Sequence, residues 1–160
     1  MPLRAGIGYD IHARAAGRPL MLGGVRFESD WGLEGHSDAD VLAHAIGDAL
    51  LGAVALGDLG RHFPNDDPQW KDRSSMVLLG LIRAMVDGRG GRIVNVDATV
   101  VAAAPRLAPM RDAMCTNIAQ ALKLAGSQVS VKATTNESLD ALGRGEGIAA
   151  WAVAMVEVPE

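Results

Sequence analysis

The sequence has little cysteine, few aromatic residues and no long uninterrupted hydrophobic run. Its one cysteine, Cys115, excludes a disulfide within the chain and favours a reducing compartment. No basic segment followed by an apolar one opens the chain, and no apolar run is long enough to span a membrane. We therefore expect a cytoplasmic protein that has no membrane partner.

The sequence also lacks an excess of positive charge. Its formal net charge is −4, which argues against a partner such as a nucleic acid. Any phosphate must instead be held locally, by a metal, by backbone N–H groups or by a few cations. Because 49% of the residues are hydrophobic and only 4% aromatic, the core is expected to consist of aliphatic side chains. The length of 160 residues predicts a single domain, 1–160.

Strand-like and helix-like segments alternate along the chain, which predicts an α+β fold with helices packed on one face of a sheet. Ser37 is a plausible cap for the first helix, and Asp72 or Ser74 for the second. The prolines and Asn/Asp residues between Phe63 and Pro68 exclude regular structure there. We predict strands at 3–12, 92–103, 128–134 and 148–158, helices at 38–56, 74–86 and 110–124, a hairpin at 19–27 and a loop at 28–37.

Two short motifs suggest a metal site. Asp10 and His12 are two residues apart, so on a strand they point to the same face. His44 lies in the first turns of the predicted first helix, and Asp40 and Asp48, four residues to either side, could orient its imidazole. Three protein ligands leave one position open, as in catalytic zinc sites. The alternative is that these polar side chains simply face solvent.

Three further segments could hold phosphate, each with a plainer alternative. Lys132–Glu137 combines a cation, hydroxyl groups and a carboxylate at a strand end, but could be a strand followed by a helix cap. Arg106 could neutralise an anion or merely follow a strand-ending proline. The Gly-rich stretch 143–147 could approach a ligand or a neighbouring subunit, or be a flexible turn. The residues alone therefore indicate metal-dependent phosphate chemistry and no specific reaction.

Taken together, the motifs of the sequence are more specific than any one of them alone. In order along the chain, they are GYDIH, the Gly-Gly hairpin, EGHSDADVLAHAIGDALLGA, LGDLGRHFPNDDP, NVDATVVAAAPRL, VKATTNESL and GRGEGIA. This series resembles the 2-C-methyl-D-erythritol 2,4-cyclodiphosphate synthase family essentially from end to end.

The resemblance implies a ferredoxin-like α+β domain that assembles as a homotrimer with active sites between subunits. It also implies a phosphorus–oxygen lyase of the non-mevalonate isoprenoid pathway. The reaction would cyclise a small-molecule cytidine diphosphate substrate, 4-diphosphocytidyl-2-C-methyl-D-erythritol 2-phosphate, and release CMP. The implied cofactors are Zn²⁺ or a similar divalent cation, and Mg²⁺ or Mn²⁺.

The family's functional positions can be carried onto this sequence one by one. Asp10, His12 and His44 match its zinc ligands, and Glu137 matches the ligand of the second metal. His36 and Thr135 match residues that stabilise the transition state. The expected substrate-binding residues are Ser37, Asp58, Gly60, Phe63, Asp67, Ala102, Ala104, Pro105, Arg106, Leu107, Ala108, Lys132, Thr134 and Arg144.

The sequence departs from the family pattern at four positions. Arg106 stands where Lys is common, which keeps the charge but changes the geometry of a phosphate contact. Asn65 stands where Asp is common. Asp140 and Ala141 replace a Gly-Phe pair whose ring, in the family, lines a cavity on the trimer axis. Two other functions stay open at this point: a metal-dependent phosphodiesterase or pyrophosphatase, and a trimeric binding module without catalysis.

Overall fold

The computed structural model describes residues 1–160, which form a five-stranded mixed sheet, a separate two-stranded hairpin and a set of helices. The strands are β1 (Leu3–Ala16), β2 (Leu20–Leu22), β3 (Val25–Phe27), β4 (Trp31–Leu33), β5 (Arg92–Val101), β6 (Val129–Thr134) and β7 (Gly147–Glu157). The helices are α1 (Val41–Ala53), α2 (Leu59–His62), α3 (Ser75–Gly88), α4 (Arg111–Leu122) and α5 (Asp140–Gly143).

The sheet has the strand order β4-β1-β7-β5-β6. Only β5 and β6 run parallel, while every other neighbouring pair is antiparallel. Consequently β1, β5 and β6 all run in the same direction. The segments that follow β5 and β6 therefore lie at the same end of the sheet as the C-terminal end of β1.

The core lies between the sheet and the long helices, which cover one face of it. Leu42, Ile46 and Leu50 of α1 and Ile82 of α3 have no exposed surface. This apolar stripe at helical spacing is what makes α1 pack on the sheet. The predicted α+β class, with helices on one face, is confirmed.

The close approach of α1 to β1 depends on two glycines in the strand. A Cβ at Gly6 would lie 1.8 Å from the carbonyl oxygen of Ala49, and a Cβ at Gly8 would lie 1.8 Å from that of Ala45. Any side chain at either position would therefore push the helix away from the strand. Because His44 precedes Ala45, this contact also sets the distance between His44 and β1.

The predicted hairpin and the cap of α3 by Ser74 are confirmed, but other boundaries were wrong. The first helix begins at Val41 because Asp40, and not Ser37, accepts the backbone N–H of Ala43. The segment predicted to be a loop contains β4, which pairs with an extension of β1 beyond His12. Asp58 caps α2, which we did not predict, and Asp67 caps a 3₁₀ turn at Pro68–Trp70, which begins at the end of the segment where we expected no regular structure.

No helix combines the length and the apolar character that crossing a bilayer requires.

Candidate metal centre and active-site cleft

Three potential metal ligands converge between β1 and α1. Asp10 and His12 lie on the face of β1 that carries the helices, and His44 lies on the first turn of α1. Asp10 Oδ2 is 2.8 Å from His12 Nε2 and 3.0 Å from His44 Nδ1. The two ring nitrogens are 3.2 Å apart. The strand and helix positions predicted from the sequence are therefore brought together as expected.

The spacing of these atoms fits one divalent cation. Tetrahedral zinc with bonds of about 2.0–2.1 Å requires neighbouring ligand atoms to lie roughly 3.3 Å apart. The three observed separations are slightly shorter, so a small outward shift of the side chains would admit the ion. One carboxylate and two imidazoles also form a donor set that suits zinc and related metals.

Burial and neighbouring charges have opposite effects on the pKa values of Asp10 and His44. Burial by itself would raise the pKa of Asp10, but hydrogen bonds and charges from His12 and His44 outweigh it and hold that pKa well below its ordinary value. Burial would lower the pKa of His44, yet its hydrogen bond to Asp10 and the neighbouring carboxylates raise it. The carboxylate is therefore ionised at neutral pH and available as a ligand.

The other side of His44 contacts two serines. Its Nε2 lies 3.1 Å from Ser37 Oγ and 3.0 Å from Ser75 Oγ, and the Ser75 hydroxyl also hydrogen-bonds to Asp38. No sequence pattern pointed to Ser75, because no spacing rule relates the start of α3 to α1.

The expectation that Asp40 and Asp48 orient His44 was wrong. Asp40 is fully buried and accepts backbone N–H groups from Gly23, Gly24 and Ala43, which ties the hairpin to the start of α1. Burial raises its pKa to about 6, even though the three N–H donors oppose the shift. Asp48 instead accepts the N–H of Leu59 at the start of α2.

The three candidate metal ligands lie in a cleft of about 410 Å³. Five of the predicted functional residues outside the metal trio line it: His36, Ser37, Asp58, Gly60 and Phe63. The cleft walls also include Trp70, which the sequence did not single out, Asp48, considered only as a partner of His44, and Asn65, noted only as a departure from the family pattern. Trp70 packs edge-on against Phe63, with ring centroids 4.9 Å apart.

The loop that carries His36 and Ser37 is fixed from two sides. Arg18, which the sequence did not single out, donates hydrogen bonds to the carbonyl oxygens of Gly35 and Ser37 at 2.7 and 2.9 Å. His36 Nε2 lies 3.0 Å from the carbonyl oxygen of Asp67, so that nitrogen must be the protonated one for a hydrogen bond to form. The carboxylate of Asp67 accepts hydrogen bonds from Gln69.

A second pocket, of about 200 Å³, lies where β5 and β6 end. Most of its lining residues come from the segment after β5, and Arg106 and Arg111 are the cationic residues among them. The predicted residues that line it are Ala102, Pro105, Arg106, Leu107, Ala108, Thr134 and Thr135.

Four predicted residues line neither cavity of the single chain, in addition to Asp67. Ala104 is exposed on the segment after β5, and Glu137 is exposed with its N–H donating to Thr135 Oγ1 at 3.2 Å. Lys132 pairs with Asp97, and Arg144 lies 2.7 Å from Glu146. Within one chain, Glu137 therefore does not line the cleft that contains the metal trio.

The sheet separates the two cavities. Ile11 of β1, Ala149 of β7, Val101 of β5 and Thr134 of β6 lie in one row of paired residues. With about 4.8 Å between neighbouring strands, the first and last members of this row are roughly 14 Å apart. Ile11 is flanked by the metal ligands Asp10 and His12, and Thr134 lines the second pocket. One chain therefore presents two separate half-sites.

Comparison with protein-family models gives a match to the YgbB family over residues 3–157. This chain belongs to the YgbB family. A relative named 2-C-methyl-D-erythritol 2,4-cyclodiphosphate synthase, from Thermosynechococcus vestitus, is 54% identical over 157 residues, which cover 98% of both chains. A relative of the same name from Bordetella avium is 55% identical over 98% of this chain and 96% of its own.

A solved structure of a family relative has a fold that is similar to that of this chain. It is described as IspF from Plasmodium falciparum in complex with CDP, and it superposes with a TM-score of 0.86 at 32% identity. The similarity covers 99% of this chain and 97% of that one. The resemblance inferred from the sequence motifs is thus confirmed: the chain is a member of the 2-C-methyl-D-erythritol 2,4-cyclodiphosphate synthase family.

Proposed function

We propose that this chain converts 4-diphosphocytidyl-2-C-methyl-D-erythritol 2-phosphate into 2-C-methyl-D-erythritol 2,4-cyclodiphosphate and CMP, as a lyase of the non-mevalonate isoprenoid pathway. The main support for this proposal is that Asp10, His12 and His44 converge in one cleft. Other residues that line this cleft match the family's substrate-binding positions. Relatives with that activity in their names are 54% and 55% identical to it. On this proposal residues 1–160 act as one catalytic domain.

The chemistry requires no nucleophilic side chain, because the 2-phosphate of the substrate attacks its own diphosphate. The task of the chain is to place those two groups together and to stabilise the charge that develops. A cation on Asp10, His12 and His44 would act as a Lewis acid on the phosphate under attack. His36 and Thr135 are the proposed transition-state-stabilising residues, and the contact with the carbonyl oxygen of Asp67 orients the His36 ring.

The first cleft is the proposed site for the methylerythritol phosphate part of the substrate. Ser37 and the backbone around Asp58 and Gly60 supply polar contacts beside the metal ligands, and Phe63 supplies an apolar wall. The CDP complex of the Plasmodium falciparum relative supports a cytidine diphosphate ligand for the same fold.

The second pocket is the proposed cytidine site. Residues 102–108 present main-chain groups that can read a base edge, and Arg106 supplies positive charge for phosphate. Glu137, three residues beyond Thr134, would help to hold Mg²⁺ or Mn²⁺ on the diphosphate, where carboxylate and phosphate oxygens are the preferred ligands. Lys132 and Arg144 are proposed to contribute positive charge nearby.

A complete active site then needs a second copy of the chain. A diphosphate cannot bridge half-sites roughly 14 Å apart on one sheet, so the cytidine pocket of one subunit must complete the metal cleft of another. The face of the sheet opposite the helices supports such assembly, since it exposes a band of apolar side chains on β1 and β7: Leu3, Ile7, Tyr9, Ile11, Trp151 and Val153. We infer a homotrimer formed through this face.

Product analysis tests the proposal. The chain is incubated with the cytidine diphosphate substrate, Zn²⁺ and Mg²⁺, and the phosphorus products are identified by ³¹P NMR. The expected products are CMP and a cyclic diphosphate. CMP with a linear phosphate would instead indicate a metal-dependent phosphodiesterase or pyrophosphatase. Binding of CMP without any turnover would indicate a non-catalytic binding module.

A further inference from the structure

A buried series of polar contacts leads away from the metal site through His44. His44 Nε2 lies 3.0 Å from Ser75 Oγ, and the Ser75 hydroxyl contacts Asp38 Oδ1. The other carboxylate oxygen of Asp38 accepts the backbone N–H of Ser75 at 2.8 Å. Ser75 is only 1% exposed and Asp38 is half-buried, so water has little access to the serine hydroxyl. The series joins the loop before α1 to the first residue of α3.

The positions of the protons in this series follow from what each group can donate. A carboxylate only accepts hydrogen bonds, so the single hydroxyl proton of Ser75 must point to Asp38. Ser75 Oγ can then only accept from the imidazole, which requires a proton on His44 Nε2. The neutral ring has one N–H, so His44 Nδ1 carries the lone pair, and Nδ1 is the atom that faces Asp10 and His12.

The two serines that contact His44 differ in where their hydroxyl protons can point. Ser37 Oγ is also near Nε2, at 3.1 Å, and lies 3.4 Å from the N–H of Ala39. Both of these contacts use Ser37 as an acceptor, so its own hydroxyl proton remains available to a ligand in the cleft. Ser75 has no such freedom, because Asp38 takes its proton.

We propose that Asp38 and Ser75 are positioning residues that fix the tautomer and the ring plane of His44, so that its Nδ1 is presented to the cation. This inference rests on the metal centre of the proposed function. Groups that hold the far nitrogen of a metal-binding histidine typically affect metal affinity by about 10–100-fold. Neither residue lines the cleft, so their effect is expected to pass through His44.

The test measures zinc affinity of the full-length chain by competition with a chelator. Ser75→Ala removes the hydroxyl but leaves the contact between Asp38 and the backbone N–H, and it should weaken zinc binding by about 10–100-fold. Ser75→Thr keeps a hydroxyl and should restore most of the affinity. Ser74→Ala is the matched control, because Ser74 caps the same helix through the N–H of Met76 and does not contact His44.

A second readout reports on the imidazole directly. In ¹H–¹⁵N spectra of the zinc-loaded protein, the His44 Nε2 proton should exchange slowly with water in the wild type and in Ser75→Thr. It should exchange rapidly in Ser75→Ala. Asp38→Asn provides an independent variant, since it replaces the obligatory acceptor and should weaken zinc binding in the same direction.

Two results would overturn the proposal while leaving the metal centre intact. One is a Ser75→Ala protein with the zinc affinity and the Nε2 proton exchange of the wild type. The other is an equal loss of affinity in Ser74→Ala, which would show a general effect of the helix start. Failure of the wild type itself to bind zinc would refute the metal centre of the proposed function, and the positioning role with it.

Discussion

The carboxylate of Asp10 lies between two imidazoles, at 2.8 Å from His12 and 3.0 Å from His44. Folding of the chain alone brings these atoms together, since strand and helix positions fix all three side chains. A site prepared in this way needs little further ordering when the cation binds, which favours affinity. The contacts of His44 with Ser37 and Ser75 restrict it further.

His44→Ala should reduce bound zinc from about one ion per chain to near zero, because two ligands rarely hold a catalytic ion. The chain should stay folded, with a loss of roughly 1–3 kcal/mol in the free energy of unfolding from the partners left unpaired. Metal analysis after dialysis and urea unfolding measure the two effects. His62→Ala is the control, since His62 hydrogen-bonds to the carbonyl oxygen of Leu56, lies beside Phe63 and does not line the cleft. Wild-type zinc content in the first variant would refute the ligand assignment.

At the scale of elements, the contact between β1 and α1 positions the metal site. Gly6 and Gly8 allow the helix backbone to pack directly on the strand, and His44 is adjacent to one of the helix residues in contact. The period-two spacing of Asp10 and His12, and the place of His44 at the start of a predicted helix, indicated both elements and all three candidate ligands. It did not identify the role of the glycines, because close packing of two backbones depends on a partner that is distant in sequence.

Gly8→Ala should destabilise the chain and weaken zinc binding together, because the new methyl group would overlap the Ala45 carbonyl. Overpacking of this kind costs about 1–3 kcal/mol or more. Gly126→Ala is a suitable control, since a Cβ there meets no atom within 4 Å. Urea unfolding and zinc titration measure both effects. Retention of wild-type stability and zinc affinity in Gly8→Ala would contradict this account of the packing.

The cap of α1 leads to a prediction about pH. Burial raises the pKa of Asp40 to about 6, above its ordinary value of 3.8. The folded state therefore holds this proton more tightly than the unfolded state. The stabilisation is complete below about pH 4 and is lost as the pH rises through about 6, an effect on the order of 2–3 kcal/mol.

Asp40→Asn carries no titrating proton, so its free energy of unfolding should fall less than that of the wild type between about pH 4 and pH 6. Urea unfolding of both proteins across this range, with a chelator present to remove metal binding from the comparison, measures the difference. Circular dichroism confirms that both are folded at the start. Parallel pH profiles would show that Asp40 does not titrate in this window.

At the scale of the whole molecule, the sequence predicted the α+β class, most elements and the metal ligands. It missed β4 and α2, which are short and are held by pairing with β1 and by the Asp58 cap. It also missed Ser75 and Arg18, whose roles arise from contacts with residues distant in the chain. The motif resemblance named both half-sites, but only the strand order shows that one chain keeps them apart.

The exposed sheet face gives a prediction about assembly. Ile7 is 73% exposed on β1, so a charge there is compatible with the single chain but not with an apolar interface. Ile7→Glu should shift the protein from trimer to monomer in light scattering, keep its zinc and lose nearly all turnover. Val77→Glu, at a 45% exposed apolar position on α3, is the control and should remain trimeric. A trimeric Ile7→Glu protein would exclude this face as the interface.

The central claim is that the trio on β1 and α1 binds one cation and that a neighbouring chain supplies the nucleotide pocket. The most direct measurement is a crystal structure grown with Zn²⁺ and CDP, with data collected at the zinc absorption edge. We predict one anomalous peak per chain, within about 2.0–2.2 Å of Asp10, His12 and His44, facing a CDP held by residues 102–108 of another subunit. A peak away from these three side chains, or CDP bound within a single isolated chain, would contradict the account.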